Sequence, residues 1–245
     1  MYLRKGVMSI TKQERLENRG YLKDGVASEF EHISYEEKLR LLESKVATER
    51  TLGARLLAHH KSEKTVDNLI DALVQEKKLY PKIEISKTLS GLQELALYPL
   101  IQCLGKIGNN QHKIVPEKSF SKDSYPLPRD IASRALVRMG EMAIPASLIR
   151  LETVDIQALS ELIDTIGHIN FYNEADYVYE PLKSCYQENE SNDLIKWKLI
   201  RAFSGVYKSE EFLKMQYHKV KKQRLQLEIS RSLRLLKKNK SLAAK

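Results

Sequence analysis

The sequence predicts an all-α protein, a right-handed superhelical stack of about five short helical hairpins. Three observations predict it. Apolar residues recur at helical spacing along most of the chain, strand-type alternation is almost absent, and apolar–glycine pairs followed by prolines return at about the length of a two-helix unit. The glycines in question, Gly108, Gly140, Gly167 and Gly205, lie 32, 27 and 38 residues apart. Residues 1–33 read as an irregular or partly helical lead segment, 34–220 as the repeat body, and 221–245 as a basic capping helix and tail.

Each element has a local reason. Ser34 with Glu37 forms a capping-box pattern ahead of Leu39, Leu41 and Leu42. From Val46 to His60, Leu52, Leu56 and Leu57 share one side, while Gly53, Ala54 and Ala58 admit a close neighbour. Ser62 caps the next helix, whose Val66, Leu69, Ile70, Leu73 and Val74 form one stripe. The two or three residues between these stretches predict that they pair as an antiparallel hairpin. Ile107-Gly108, Met139-Gly140, Ile166-Gly167 and Phe203-Ser204-Gly205 read as helix ends turned by a left-handed glycine. Pro99, Pro145 and Pro181 read as first-turn prolines, where the missing N–H has no partner to lose. Residues 109–128, with Asn109, Asn110, Pro116, Ser119, Ser121, Ser124 and Tyr125-Pro126-Leu127-Pro128, cannot sustain a helix. This long loop is either a mobile insertion, the simpler reading, or a binding loop using Lys113, Lys118, Lys122, Phe120 and Tyr125. Gln223 to Leu236 places Leu225, Ile229, Leu233 and Leu236 on one stripe, with Arg224, Arg231, Arg234 and Lys237 on the remainder.

Composition narrows the class. The 245 residues include 41 basic and 32 acidic side chains, ten glycines, seven prolines and two cysteines. Collagen-like, low-complexity and disulfide-scaffold chains need far more Gly, Pro or Cys. The apolar runs fall well short of the ~20 residues that cross a bilayer, and none of signal-peptide length follows Arg4 and Lys5. Cys103 and Cys185, far apart within helical stretches, read as core fillers of a reduced, cytoplasmic protein. Charge is concentrated at one end. From His218 to Lys245 there are seven Lys, three Arg and one acid, Glu228, leaving residues 1–217 with 31 basic and 31 acidic groups.

The stretch Arg129-Asp-Ile-Ala-Ser-Arg-Ala-Leu-Val-Arg-Met-Gly-Glu-Met-Ala-Ile-Pro-Ala-Ser-Leu-Ile-Arg150 resembles a HEAT repeat. A first helix ends in an apolar–Gly pair, and Ala-Ile-Pro opens a second with a Leu-Ile pair. Thr48 to Glu76, Ile83 to Ile107, Asp155 to Glu188 and Asp193 to Val220 are similar but weaker, so the resemblance covers roughly 46–220. It implies an armadillo-like α-solenoid and, for function, a concave surface that binds a partner. The di-iron hydroxylases of HEAT type carry repeated His-Glu pairs; this chain has no His-Glu dipeptide.

The chemistry-bearing motifs are missing. His32, His59, His60, His112, His168 and His218 form no His-x-x-x-His, no Cys-x-x-Cys exists, and Gly-rich phosphate loops and nucleophile elbows do not occur. No metal, cofactor or catalytic residue is assigned. Asp155, Glu161 and Asp164 read as a solvated helix face. Phe171, Tyr172, Tyr177, Tyr179, Tyr186 and Trp197 read mainly as packing residues. The leading expectation is a non-enzymatic scaffold that binds another protein or peptide through Asn68, Asp71, Gln102, Arg150 and Lys183. The first alternative is nucleic-acid binding of the HEAT-like DNA glycosylase kind, driven by Lys221, Lys222, Arg224, Arg231 and Arg234. The other is a HEAT-like lyase or chaperone for a chromophore, implied by the repeat alone.

Overall fold

The computed structural model describes residues 11–118 and 120–243, and among these every regular element is helical. The first ten residues of the lead segment, Ser119 of the loop, and Ala244 and Lys245 of the tail lie outside the described residues, as do the side chains of 240–243. No described helix is long and apolar enough to cross a membrane. The chain divides into two compact units, Met1–Leu92 and Gln93–Lys245.

The first unit holds α1 (Lys12–Glu17), α2 (Tyr35–Leu42), α3 (Ala47–Leu56), α4 (Glu63–Gln75) and α5 (Leu79–Gly91), with 3-10 turns at Val26–Phe30 and Leu57–His59. The predicted caps form: the Ser34 hydroxyl accepts from Glu37 N while the Glu37 carboxylate accepts from Ser34 N, and Ser62 caps α4 through Thr65 N. The pairing differs from expectation. Helix α3 packs against α2 and α5, and α4 against α5, so the hairpin expected between α3 and α4 is not the main contact. Gly53 explains why. A Cβ there would stand 2.5 Å from Leu42 N and 2.9 Å from Lys38 O, so the small face of α3 serves the approach of α2. Arg50 and Glu76 close the other end with bonds of 2.7 and 2.9 Å, and Arg55 meets Glu84 at 2.9 Å.

The second unit holds α6 (Glu94–Gln102), α7 (Ile131–Met139), α8 (Ala143–Ile149), α9 (Ile156–Asn173), α10 (Tyr179–Glu188), α11 (Asp193–Ala202), α12 (Glu210–Lys219) and α13 (Gln223–Ala243). Helix α9 is its centre, packed against α7, α8 and α11, with α13 covering α11 and α12. The stretch from Ala158 to Gly167 is buried throughout, because the apolar residues Ala158, Leu159, Leu162, Ile163 and Ile166 do not confine themselves to one face. The stretch from Arg129 to Arg150 is helix, turn, helix: α7 ends at Met139, Gly140 takes φ +69°, and Pro145 sits in the first turn of α8.

Four expected helix signals work otherwise. Gly167 lies inside α9, not at its end. A Cβ there would overlap the Tyr125 phenol oxygen and stand 2.9 Å from Ala202 Cβ. Gly205 likewise permits the approach of Phe171, whose Cα would be 2.5 Å from an added Cβ. Ile107-Gly108 ends no helix, since α6 stops at Gln102, and Pro99 stands inside α6. Cys103 and Cys185 are buried, as expected of core fillers, and burial pushes the Cys185 thiol up to about 11.

Candidate functional site

The described residues of the loop at 109–128 are helix-free, as its prolines require, and α13 ties the segment down between Val115 and Ser124. Arg224 donates to Val115 O at 3.3 Å, and Arg231 donates to Lys122 O at 3.0 Å and Ser124 O at 2.7 Å. Arg234 pairs with Asp123, and Lys238 reaches it at 2.9 Å; these two cations hold the Asp123 carboxyl below the usual carboxylate range. At the ends of the loop, Asp130 is fully buried and accepts four bonds. One oxygen caps α7 through Ala132 N and Ser133 N, and the other takes Gly105 N at 3.1 Å and Gln111 Nε2 at 2.8 Å. The segment is therefore a strap laid over the helices.

Beneath it lies a charged floor. Lys198 of α11 is fully buried and donates to Ser160 O at 3.0 Å and Glu161 Oε1 at 2.7 Å, and pairs with Asp164 Oδ2 at 2.8 Å. Burial raises the Glu161 carboxyl to about 7, with Lys198 opposing and the Asp164 charge assisting. One turn along α11, Arg201 pairs with Glu228 of α13 at 3.1 Å, and Arg231 shares the same carboxylate at 3.1 Å. All three residues are at most 5% exposed. The Arg201 guanidinium lies 3.8 Å from the centroid of the Trp197 ring, and His112 from the strap meets the same ring edge-on at 5.2 Å. Burial pushes His112 down to about 4, so its imidazole is neutral.

Two cavities open between strap and floor and share His112 as a wall. One, about 470 Å³, is lined by Lys118, Phe120, Lys122, Tyr125, Arg129, Asp164, Trp197 and Arg201 among others. The other, about 360 Å³, is lined by Gln111, Lys113, Ser160, Glu161 and Asn192 among others. Cations surround the larger opening: Lys118, Lys122 and Arg129 are exposed, and none has a carboxylate partner among the described residues. The cleft thus has a basic mouth, ring-bearing walls and a charge-balanced floor, a combination suited to holding an anion with a polar, planar part.

The sequence-derived positions map onto this site unevenly. Asn68 and Asp71 lie together on a separate open cavity of about 600 Å³ in the first unit, beside Arg50 and Glu76. Gln102 is exposed at the end of α6, Arg150 lies 5.9 Å over the Tyr98 ring, and Lys183 sits 5.4 Å over the Tyr179 ring and 3.5 Å from Glu180. No single cavity gathers these five. Of the basic C-terminal set, Lys221 is exposed and Lys222 pairs with Asp193, whereas Arg224, Arg231 and Arg234 hold the strap. Arg231, expected on an outward polar face, is buried because the strap covers that side of α13. Glu161 and Asp164, expected on a solvated face, are buried for the same reason that all of mid-α9 is. Asp155 alone of that trio stays exposed, capping α9 through Gln157 N and Ala158 N. Lys198 and Arg201 escaped notice in the sequence, although they stand in the apolar run Ile195-Lys-Trp-Lys-Leu-Ile-Arg-Ala-Phe203, where a charge needs a buried partner.

No family model matches the sequence, and no curated protein matches it. Among solved structures, the chain is similar to the crystal structure of an engineered protein, a target of the Northeast Structural Genomics Consortium. The two are 15% identical, with a TM-score of 0.36, over 83% of this chain and 96% of that one. A likeness that distant carries neither a fold assignment nor a function.

Proposed function

We propose that the protein is a binding module of HEAT-like hairpins, stacked in the manner of a solenoid, whose second unit holds an anionic ligand in the cleft beneath the strap. One observation carries this reading: Lys118, Lys122 and Arg129 ring the opening of a concave, partly ring-lined cavity without a neutralising acid, while Arg224, Arg231, Arg234 and Lys238 of α13 are consumed in fixing the roof. Holding suits this floor better than converting, because its carboxylates are locked to Lys198 and Arg201.

The test is calorimetric titration with ribose 5-phosphate, a compact anion. Binding is expected to weaken steeply with added salt, and K118E/K122E/R129E is expected to lose it by roughly tenfold or more with an unchanged melting temperature. A triple variant that binds as the parent does rejects the reading. A second function, docking of a partner protein on the first unit, draws support from the open cavity that brings Asn68 and Asp71 together. There N68A/D71A is expected to lower partner affinity and leave the anion titration unchanged.

A further inference from the structure

Resting on the anion-binding reading, the geometry points to the class of ligand: an acidic segment of a partner protein that also carries apolar side chains, laid across the strap with a carboxylate at the basic mouth. Charge supplies half of that chemistry. Lys113, Lys118 and Lys122 of the strap and Arg129 at its end are exposed, and none has a carboxylate partner among the described residues. The strap's own acids are engaged, Glu117 with Arg224 at 3.7 Å and Asp123 with Arg234 and Lys238. Unanswered cations on one surface select a partner of opposite sign and steer its approach. A side-chain carboxylate is a flat, polar anion of the kind the mouth can hold.

Exposed apolar residues supply the other half. Ile114 is 72%, Leu127 55% and Leu227 49% exposed. Singly, such residues are ordinary; these three are set among the cations. Ile114 follows Lys113 and precedes Val115, whose carbonyl Arg224 holds. Leu127 lines the cleft with Lys118, Lys122 and Arg129. Leu227 stands between Arg224 and Arg231 at helical spacing, on the stripe of α13 that grips the strap. A small anion would leave all three in water, whereas a peptide with aliphatic side chains between its acids would cover them. The rings argue against a nucleic-acid strand, whose bases need open aromatic faces to stack on. Trp197 is 4% and Tyr125 3% exposed, Arg201 already lies over the Trp197 ring, and the Arg231 guanidinium stands 5.1 Å from the centroid of the Phe120 ring.

The experiment titrates the full chain, by fluorescence anisotropy, with a labelled peptide of four Glu-Glu-Leu repeats, its equally charged Glu-Glu-Ser counterpart and a labelled oligothymidylate of the same number of units. The leucine peptide is expected to bind roughly tenfold or more tighter than the serine peptide and to displace ribose 5-phosphate. I114S/L227S replaces two exposed side chains outside both cavities, so its melting temperature and its ribose 5-phosphate titration should match the parent's; its affinity for the leucine peptide should fall roughly fivefold or more. K118E/K122E/R129E should lose both peptides. Two peptides that bind equally, or an I114S/L227S protein that holds the leucine peptide as the parent does, overturn the inference while the anion site stands. So does an oligothymidylate that binds more tightly than the leucine peptide, which would make a nucleic-acid strand the occupant. Leucine-peptide binding that the triple variant abolishes, with ribose 5-phosphate too weak to detect, upholds both the site and its occupant. Failure of ribose 5-phosphate and of all three labelled probes removes the anion-binding reading beneath the inference.

Discussion

Lys198→Ala is expected to cost about 3–5 kcal/mol of folding stability, measured by urea unfolding at neutral pH. The ammonium is fully buried, and Glu161 and Asp164 both lean on it, at 2.7 and 2.8 Å. Removing it leaves two carboxylates, at most 5% exposed, facing one another without a counter-charge. The loss should depend on pH in a fixed direction. Glu161 titrates near 7 in the folded chain, above its ordinary 4.5, so the native state keeps a proton that the unfolded chain has already lost. Stability from this group is therefore complete below about pH 4.5 and falls as pH rises to about 7. Without Lys198, which lowers that carboxyl, its pKa climbs further and the fall continues to higher pH. The gap between variant and parent should accordingly be smaller at pH 5 than at pH 8. The replacement K198M/E161L/D164L, which removes the whole charged cluster, should recover most of the loss, since well-packed apolar substitutes for a buried ion group are often neutral or better. A single-variant loss below about 1 kcal/mol would mean that water reaches the cluster and screens it.

The same cluster marks where the sequence was legible and where it was not. Helical class, the Ser34 and Ser62 caps, the α7–α8 turn and the apolar stripe of α13 are local matters, set by spacing and by residues a few positions apart, and they are as the pattern predicts. Partner choice between helices is not local. Gly53 announces a close approach but cannot say that α2 makes it, and Gly167 resembles a helix stop until Tyr125, over forty residues earlier, is seen to rest on it. The fate of charges is less local still. Glu161 and Asp164 look solvated on a helical wheel because they are charged, yet the apolar residues around them leave α9 no dry-free side. That all-round apolar pattern was the available signal. The link from Arg231 to Lys122 and Ser124 spans more than a hundred residues and has no counterpart in any sequence window.

A chain ending at Tyr217 is expected to lose the folded second unit, not merely a cationic tail. Helix α13 buries Leu225, Ile229, Leu235 and Leu236 at 2% exposure or less. At ~1.5–3 kcal/mol for each fully buried aliphatic side chain, these four alone supply roughly 6–12 kcal/mol, comparable to the ~5–15 kcal/mol that separates a whole domain from its unfolded state. Truncation also leaves Arg201 buried without Glu228 and frees the strap from Arg224, Arg231, Arg234 and Lys238. Limited proteolysis should then cut faster within 109–128, which α13 tethers in the full chain, and near-ultraviolet circular dichroism from Trp197 should collapse. By contrast K221A/K222A, which removes two exposed tail charges, should stay within about 0.5 kcal/mol of the parent, because Lys221 is exposed and the Lys222–Asp193 pair lies largely in solvent. The pair of experiments separates charge from packing. If the truncated chain kept its melting transition and its protease resistance, α13 would be a dispensable appendage and the strap would owe its position to Asp130 and Arg134 alone. If it unfolds, any ligand binding lost with the tail reports the collapse of the cleft, and a role for the terminal cations in recognition has to be judged from the double substitution instead.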